Sequence, residues 1–356
     1  MQALAHLVVP ASSTPVRLLA LSIVATASYA QPAAPVVSCD RTCLEGFVDR
    51  YLAAVVADDP TAAPLAPGVR ITEDGQQLEP GDGLWNTLRA VGDYRLVVAD
   101  PPAGQIALIT TVLEGNADPA FRRASALGLR LKVSDGRIAE VEQIVIRDAA
   151  TGQRIEAFRN PRAGLMSAVP PPQRLSRAEL IASANEYFTG MQRNDGRGDY
   201  NFSERCDRLE NGNRATNAPT PSGETRPDPR SATRYSAQWT CREQFESGLL
   251  HGVTRIRDRR FVAVDQERGL VAAFVFFDHE GGGKTPYTTR FGVTSAGGLS
   301  EPWTWEILEV FKIEDGQIAE IEALLHRVPY GMPSGWSSHV DAMSDRARDV
   351  TGYSEE

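Results

Sequence analysis

Residues 132–147 read KVSDGRIAEVEQIVIR, and residues 312–327 read KIEDGQIAEIEALLHR. Eight of these sixteen positions are identical, and four more exchange one aliphatic residue for another. A period of about 180 residues is far too long for a solenoid, so the repeating unit is a domain. Whatever this chain folds into, it must do so twice, and the differences between the copies point to any chemistry.

The repeat continues upstream in weaker form. CLEGFVDRYLAAVVADD opens one copy, with Phe47, Tyr51 and Val55 at helical spacing, and RAELIASANEYFTGMQRND opens the other. In each, a tyrosine (Tyr51, Tyr187) stands eight residues before an aspartate (Asp59, Asp195). A short strand follows, ending in Glu73-Asp74-Gly75 or Glu210-Asn211-Gly212. YRLVVADPPAGQIALITTV then pairs with RRFVAVDQERGLVAAFVFF, and both read as strands joined across a turn. The closing hairpin turns on Asp135-Gly136 or Asp315-Gly316, residues suited to positive φ. Each unit thus reads as helix first and curved antiparallel sheet after: α+β.

At the N-terminus, Arg17 precedes LLALSIVATASYA, an apolar run too short to span a bilayer and ending in small residues. Residues 1–30 are expected to be a signal peptide cut after Ala30, leaving a protein exported to the periplasm or the medium with no membrane span. The remaining chain of about 325 residues suits two domains. These are expected at 39–148 and 175–329, joined by a stiff 149–174 linker containing Pro170-Pro171-Pro172 and followed by a 330–356 tail. Four cysteines in an exported chain favour disulfides. Of the three possible connectivities, Cys39–Cys43 and Cys206–Cys241 is preferred. The second would close a loop of 35 residues, worth about 4 kcal/mol by chain entropy. A net charge of −9 with three lysines argues against nucleic acid or an anionic membrane as partner.

The helix with its tyrosine and aspartate, the acidic strand end and the closing hairpin together resemble the cone-shaped superfamily of nuclear transport factor 2, ketosteroid isomerase, scytalone dehydratase and the SnoaL-like cyclases. RCDRLENGNRATN, CREQF, RIRDRRF, FFDH and VPYGMPSGW are similar to a narrower group of exported tandem proteins common in filamentous fungi and some bacteria. The resemblance implies a curved sheet wrapped by helices around one apolar pocket per domain. It leaves function open, because this cone hosts isomerases, dehydratases, hydrolases and plain binding modules.

Aligning the copies sets Asp278-His279 against Leu113-Glu114 and His326 against Ile146, so the second copy gains two histidines and an aspartate. His326 alternates with Leu324 on a face that should be buried, where a histidine needs a hydrogen-bond partner. Glu210 lies 23 residues after Tyr187, close to the spacing of the proton-abstracting acid in ketosteroid isomerase, although Glu-Asn-Gly is also an ordinary turn. Tyr187 could donate to an oxyanion, and the arginines of RIRDRRF, Arg257 and Arg259 among them, could clamp an anion. Trp303 and Trp305 alternate on one strand and could wall an aromatic pocket. Two long insertions, 211–240 and 280–301, occur only in the second copy, and the first is bracketed by Cys206 and Cys241 like an ordered lid.

No GxSxG, P-loop, GxGxxG or HExxH pattern is present, and the histidines lack metal-ligand spacing. The expectation is a cofactor-independent and metal-free acid–base enzyme, working in the second domain on a small apolar or aromatic molecule. Elimination of water comes first, with isomerisation or hydrolysis next. His279 would be the base, oriented by Asp278 or another carboxylate, and His326 or Glu210 the second acid–base group. The alternative is a secreted small-molecule-binding protein. A homodimer through the sheet faces is a further possibility.

Overall fold

The computed structural model describes residues 39–282, 287–295 and 300–351; the expected signal segment, parts of the 280–301 insertion and the end of the 330–356 tail lie outside them. Helix α1 (Arg41–Ala57) starts where Asp40 accepts the Cys43 N–H at 2.8 Å, and ends at Asp58 in the left-handed region. Its Leu44, Phe47, Val48, Tyr51, Leu52 and Val55 recur at helical spacing and are all buried. After it come β1 (Leu65–Glu73), β2 (Gln76–Leu78), short α2 (Leu84–Thr87), β3 (Leu88–Asp100), β4 (Gln105–Glu114), β5 (Arg123–Ser134) and β6 (Arg137–Ile146). They form a six-stranded sheet ordered β2-β1-β6-β5-β4-β3.

Two short helices, α3 (Ala149–Ala157) and α4 (Ala163–Met166), lead to the second unit. Helix α5 (Arg177–Arg193) opens on a Ser176/Glu179 capping box and closes at Asn194. Strands β7 (Phe202–Glu210) and β8 (Asn213–Arg214) precede α6 (Cys241–Ser247). Next are β9 (Arg255–Asp265), β10 (Leu270–His279), a small β11 (Tyr287–Thr288)/β12 (Thr294–Ser295) pair, β13 (Trp303–Glu314) and β14 (Gln317–Val328). Last are α7 (His339–Ala342) and β15 (Arg348–Asp349). The second sheet runs β15-β9-β10-β13-β14-β7-β8.

The fold is α+β, as expected, but the sheets are mixed and not purely antiparallel. In each unit the strand that follows the long helix (β1, β7) lies parallel to the closing strand (β6, β14), and β15 adds parallel to β9. The reason is topological: this strand meets the last hairpin by a crossover, and only hairpin neighbours must be antiparallel. The 180-residue alignment holds in register, since Asp278 pairs with Thr304 and Leu113 with Ala124.

Alternation gives each sheet two buried faces. One packs on its own helix; the other packs on the other sheet. Leu96, Val98, Ile109 and Ile144 of the first sheet share a core with Phe274, Leu308, Val310 and Leu324 of the second. The approach is close enough that a Cβ on Gly128 would sit 3.0 Å from Leu308, its own counterpart in the repeat. The two sheet faces through which a homodimer was a possibility thus pack on each other inside one chain. In the stretch 149–174, Ile155 and Leu165 are buried in the same inter-sheet core.

Ion pairs thread this core. Arg260 donates twice to Glu142 (2.9 and 2.6 Å), and Arg177 donates to Asp100 at 2.7 Å. The tail seals the edge: Trp336 Nε1 donates to Thr72 in the first sheet at 2.8 Å, while Met332 O and Ala342 O accept from Arg257 in the second. Among the described residues no helix is long and apolar enough to cross a membrane.

Candidate functional site

A cavity of about 190 Å³ lies between α5 and the inner face of the second sheet. One wall is apolar, built from Met191, Leu250, Val253, Phe277, Trp305, Ile307, Ala323 and Leu325; the polar lining is Tyr187, Arg208, Glu210, Tyr235, His279 and Glu309. An engineered apolar void of about 150 Å³ takes up benzene, so the size suits a one-ring molecule.

Four expected site residues are brought together here: His279, Glu210, Tyr187 and Trp305. His279 is buried at the end of β10. Its Nδ1 lies 3.1 Å from Phe277 O, and a carbonyl can only accept, so Nδ1 carries the proton and Nε2 is left as a base. Burial, opposed by the Phe277 carbonyl and Asp278, lowers its pKa to about 4, so the ring is neutral near pH 7. Trp303 stacks on it at 3.8 Å between centroids, covered in turn by Arg327, and holds the ring flat.

The other expectations fall elsewhere. Asp278 does not orient His279: neighbouring strand residues point to opposite faces, and no bulge intervenes between them. Its carboxylate faces the inter-sheet core, bound to Arg255 (2.8 Å), Arg257 (2.9 Å) and Thr304 (2.7 Å). Burial works against ionisation, but the bonds to Arg257 and Thr304 win and hold its pKa below the usual value. His326 also faces the first sheet, because it alternates with cavity-lining Leu325; its Nε2 lies 4.0 Å from Asp74. Burial and the adjacent Arg147 lower its pKa and favour the neutral ring.

Arg257 and Arg259, expected as anion clamps, are two residues apart but point to opposite faces. A β-bulge at Asp258 (φ 50°) inserts one residue, and Arg257 then shares the inter-sheet face with Arg260. Arg259 turns to α5, donating to Asn185, Thr189 and Gln192. Neither lines the cavity.

Sequence reasoning missed the two charged residues at its polar end, Arg208 and Glu309. The repeat contains the signal: offsets of 180 and 137 set Glu309 on Leu129 and Arg208 on Ile71, both buried apolar residues of the first unit. There Trp85 and Tyr51 occupy the interior edge to face, 5.6 Å apart. In the second unit, Arg208 donates to Gln244 Oε1 (2.8 Å) and to Glu210, and stands over the Tyr187 ring. Burial drives Glu309 up to about 8 despite Arg208 and the Tyr187 hydroxyl, so it is a neutral acid near pH 7. Among the described residues, neither buried Arg208 Nε nor buried Glu309 Oε2 has a hydrogen-bond partner. Two unmet polar atoms on one cavity call for a ligand oxygen or a water.

Both disulfides form as preferred, Cys39–Cys43 and Cys206–Cys241, the second joining β7 to α6 beside the cavity. The insertion it brackets is ordered: Trp239 is fully buried and donates to Pro227 O at 2.7 Å, and Tyr235 reaches the cavity. No group of residues that could hold a metal ion occurs among the described residues.

The profile of a family described as a domain of unknown function (DUF8021) matches residues 173–325, which contain the cavity. No curated protein matches the chain. Among solved structures it is similar to AusH from Aspergillus nidulans, at 18% identity over 33% of this chain and 95% of that one, with a TM-score of 0.27. AclR from Streptomyces galilaeus gives 13% identity, 32% and 96% coverage, and a TM-score of 0.25. A candidate polyketide cyclase from Xanthomonas campestris pv. campestris gives 20%, 29% and 90%, and 0.24.

Proposed function

We propose that this is an exported acid–base enzyme that eliminates water from a one-ring, largely apolar molecule bearing an oxygen group, in the cavity of its second domain (175–329). The first domain (39–148) serves as scaffold. The observation that carries the reading is Glu309: a buried carboxyl, its pKa raised by burial to about 8, with an unmet oxygen, lining the same cavity as His279, whose Nδ1 faces the Phe277 carbonyl. An acid and a base whose environments push their pKa values apart are what proton abstraction paired with leaving-group protonation requires.

In this scheme the ligand oxygen sits at Arg208 Nε and the Tyr187 hydroxyl, where developing charge is stabilised in a site shielded from water. His279 Nε2 takes the proton, and Glu309 gives one to the departing hydroxyl. Isomerisation uses the same groups if Glu309 returns its proton to carbon. The disulfides and the apolar leader support export.

The test is to incubate the mature protein, its Glu309→Gln and its His279→Ala variants with mixtures of small phenolic and carbonyl compounds, following products by mass spectrometry. Loss of one water, or an isomer, is expected with the native chain, and each variant should be slower by two or more orders of magnitude. Variants as fast as the native chain would defeat the assignment. Compounds that co-purify unchanged with the native chain would establish a binding protein instead, a reading that the low basicity of His279 favours.

A further inference from the structure

Gln244 lies outside the cavity lining, yet it joins that cavity to the disulfide-bracketed insertion. It is fully buried on α6. Its Nε2 donates to two insertion carbonyls, Ala215 O at 2.6 Å and Ser236 O at 3.0 Å. Those acceptors fix which way the amide points, since only the NH₂ can face a carbonyl. Oε1 is thereby aimed at Arg208 Nη1, 2.8 Å away. With Nη2 taken by Glu210, the guanidinium is held at both ends, and Nε remains for a ligand.

We propose that Gln244 is a positioning residue that couples the seating of segment 215–240 to the orientation of Arg208, so that the oxygen-binding end of the cavity is assembled only with that segment closed. The inference rests on reading this cavity as the working site. When the segment lifts, the amide loses the two carbonyls that orient it and can turn its NH₂ toward the arginine, where donor meets donor. Coupling of this kind is reciprocal, so whatever fixes Arg208 also seats the segment.

Reciprocity gives a test that needs no substrate. The Arg208 guanidinium bonds to Gln244 and Glu210 and, among the described residues, to none in 215–240. Its backbone ties to Thr216 and Ala215 survive side-chain replacement. The segment exposes Arg230 and Arg234 to trypsin, while Arg226 is protected by the following Pro227. Cleavage should be compared in the full chain and in Gln244→Met, Arg208→Met and the double variant.

Slow cleavage follows the open population, so losing the weight of one or two net hydrogen bonds should speed it about tenfold in each single variant. The double variant should be no faster than the faster single one. Arg208→Lys, whose ammonium can still reach the amide oxygen, should recover part of the protection. Native-like cleavage in Arg208→Met, or effects that multiply in the double variant, would overturn the coupling. If either Met variant fails to fold, Gln244→Glu decides: it keeps an acceptor for Arg208 but no donors for the carbonyls, so faster cleavage supports the proposal and native-like cleavage overturns it. Failure of the enzymatic reading shows only in the turnover assay, which this experiment does not use.

Discussion

Replacing Glu309 by glutamine should stabilise the protein, and only at higher pH. The carboxyl is fully buried and its pKa stands near 8 in the fold, against an ordinary 4.5. Below pH 4.5 both folded and unfolded chains hold the proton, and the group has no effect on stability. Between 4.5 and 8 the unfolded chain releases it while the folded chain retains it, so stability falls as pH rises. At 1.36 kcal/mol per pH unit, the total loss by pH 8 is about 5 kcal/mol.

Glutamine has nearly the same shape, keeps a donor and an acceptor for Tyr187, and does not titrate. The variant should therefore match the native chain at pH 4.5 and exceed it increasingly toward pH 8. Glu306 and Glu322, also raised by burial, impose similar slopes on both chains and cancel in the difference. The assay is urea unfolding with disulfides intact at pH 4.5, 6, 7 and 8. A native-minus-variant difference that is flat with pH, or that grows in favour of the native chain, would refute the claim that burial holds this carboxyl neutral.

Three further outcomes follow from the geometry. The rate of turnover should fall as pH rises through about 8, where Glu309 loses its proton, and fall again only below about 4, where His279 gains one; a profile with a limb near 6 would reassign the base. Arg260→Met should cost about 3–5 kcal/mol in urea unfolding by stranding Glu142, nearer the lower figure because Arg130 still donates to that carboxylate at 3.0 Å. Removing Cys206–Cys241 as the Ala/Ala pair should cost about 4 kcal/mol and speed trypsin cleavage at Arg230 and Arg234; an unchanged midpoint would show that the loop is constrained by its other contacts.

The duplicated helix-then-sheet unit was legible because local rules specify it. Helical spacing in α1 and α5, the Asp-Gly turns and the 180-residue register need only neighbours along the chain or across a hairpin. Other readings needed as little: the disulfides rested on an even cysteine count, His279 on aligning the two copies, Glu210 on its spacing from Tyr187, Tyr187 on its place in the opening helix, and Trp305 on alternation along its strand. What could not be read was which buried face belonged to which partner. His326 lies on a face that is buried, as expected, but against the other sheet and not around a cavity, and Asp278 shares that face; alternation reports burial without naming what does the burying. Arg257 and Arg259 were separated by a bulge at Asp258, and a single inserted residue reverses every side chain beyond it. Arg208 and Glu309 acquire their meaning only when β7, β13 and α5 converge, because the pKa of a carboxyl depends on the solvent and charges that the fold removes or supplies. The chain alone determined two copies of an α+β unit and the copy in which polar residues accumulate. Tertiary packing decided which of those residues share a cavity, since that depends on three-dimensional neighbours more than a hundred residues apart.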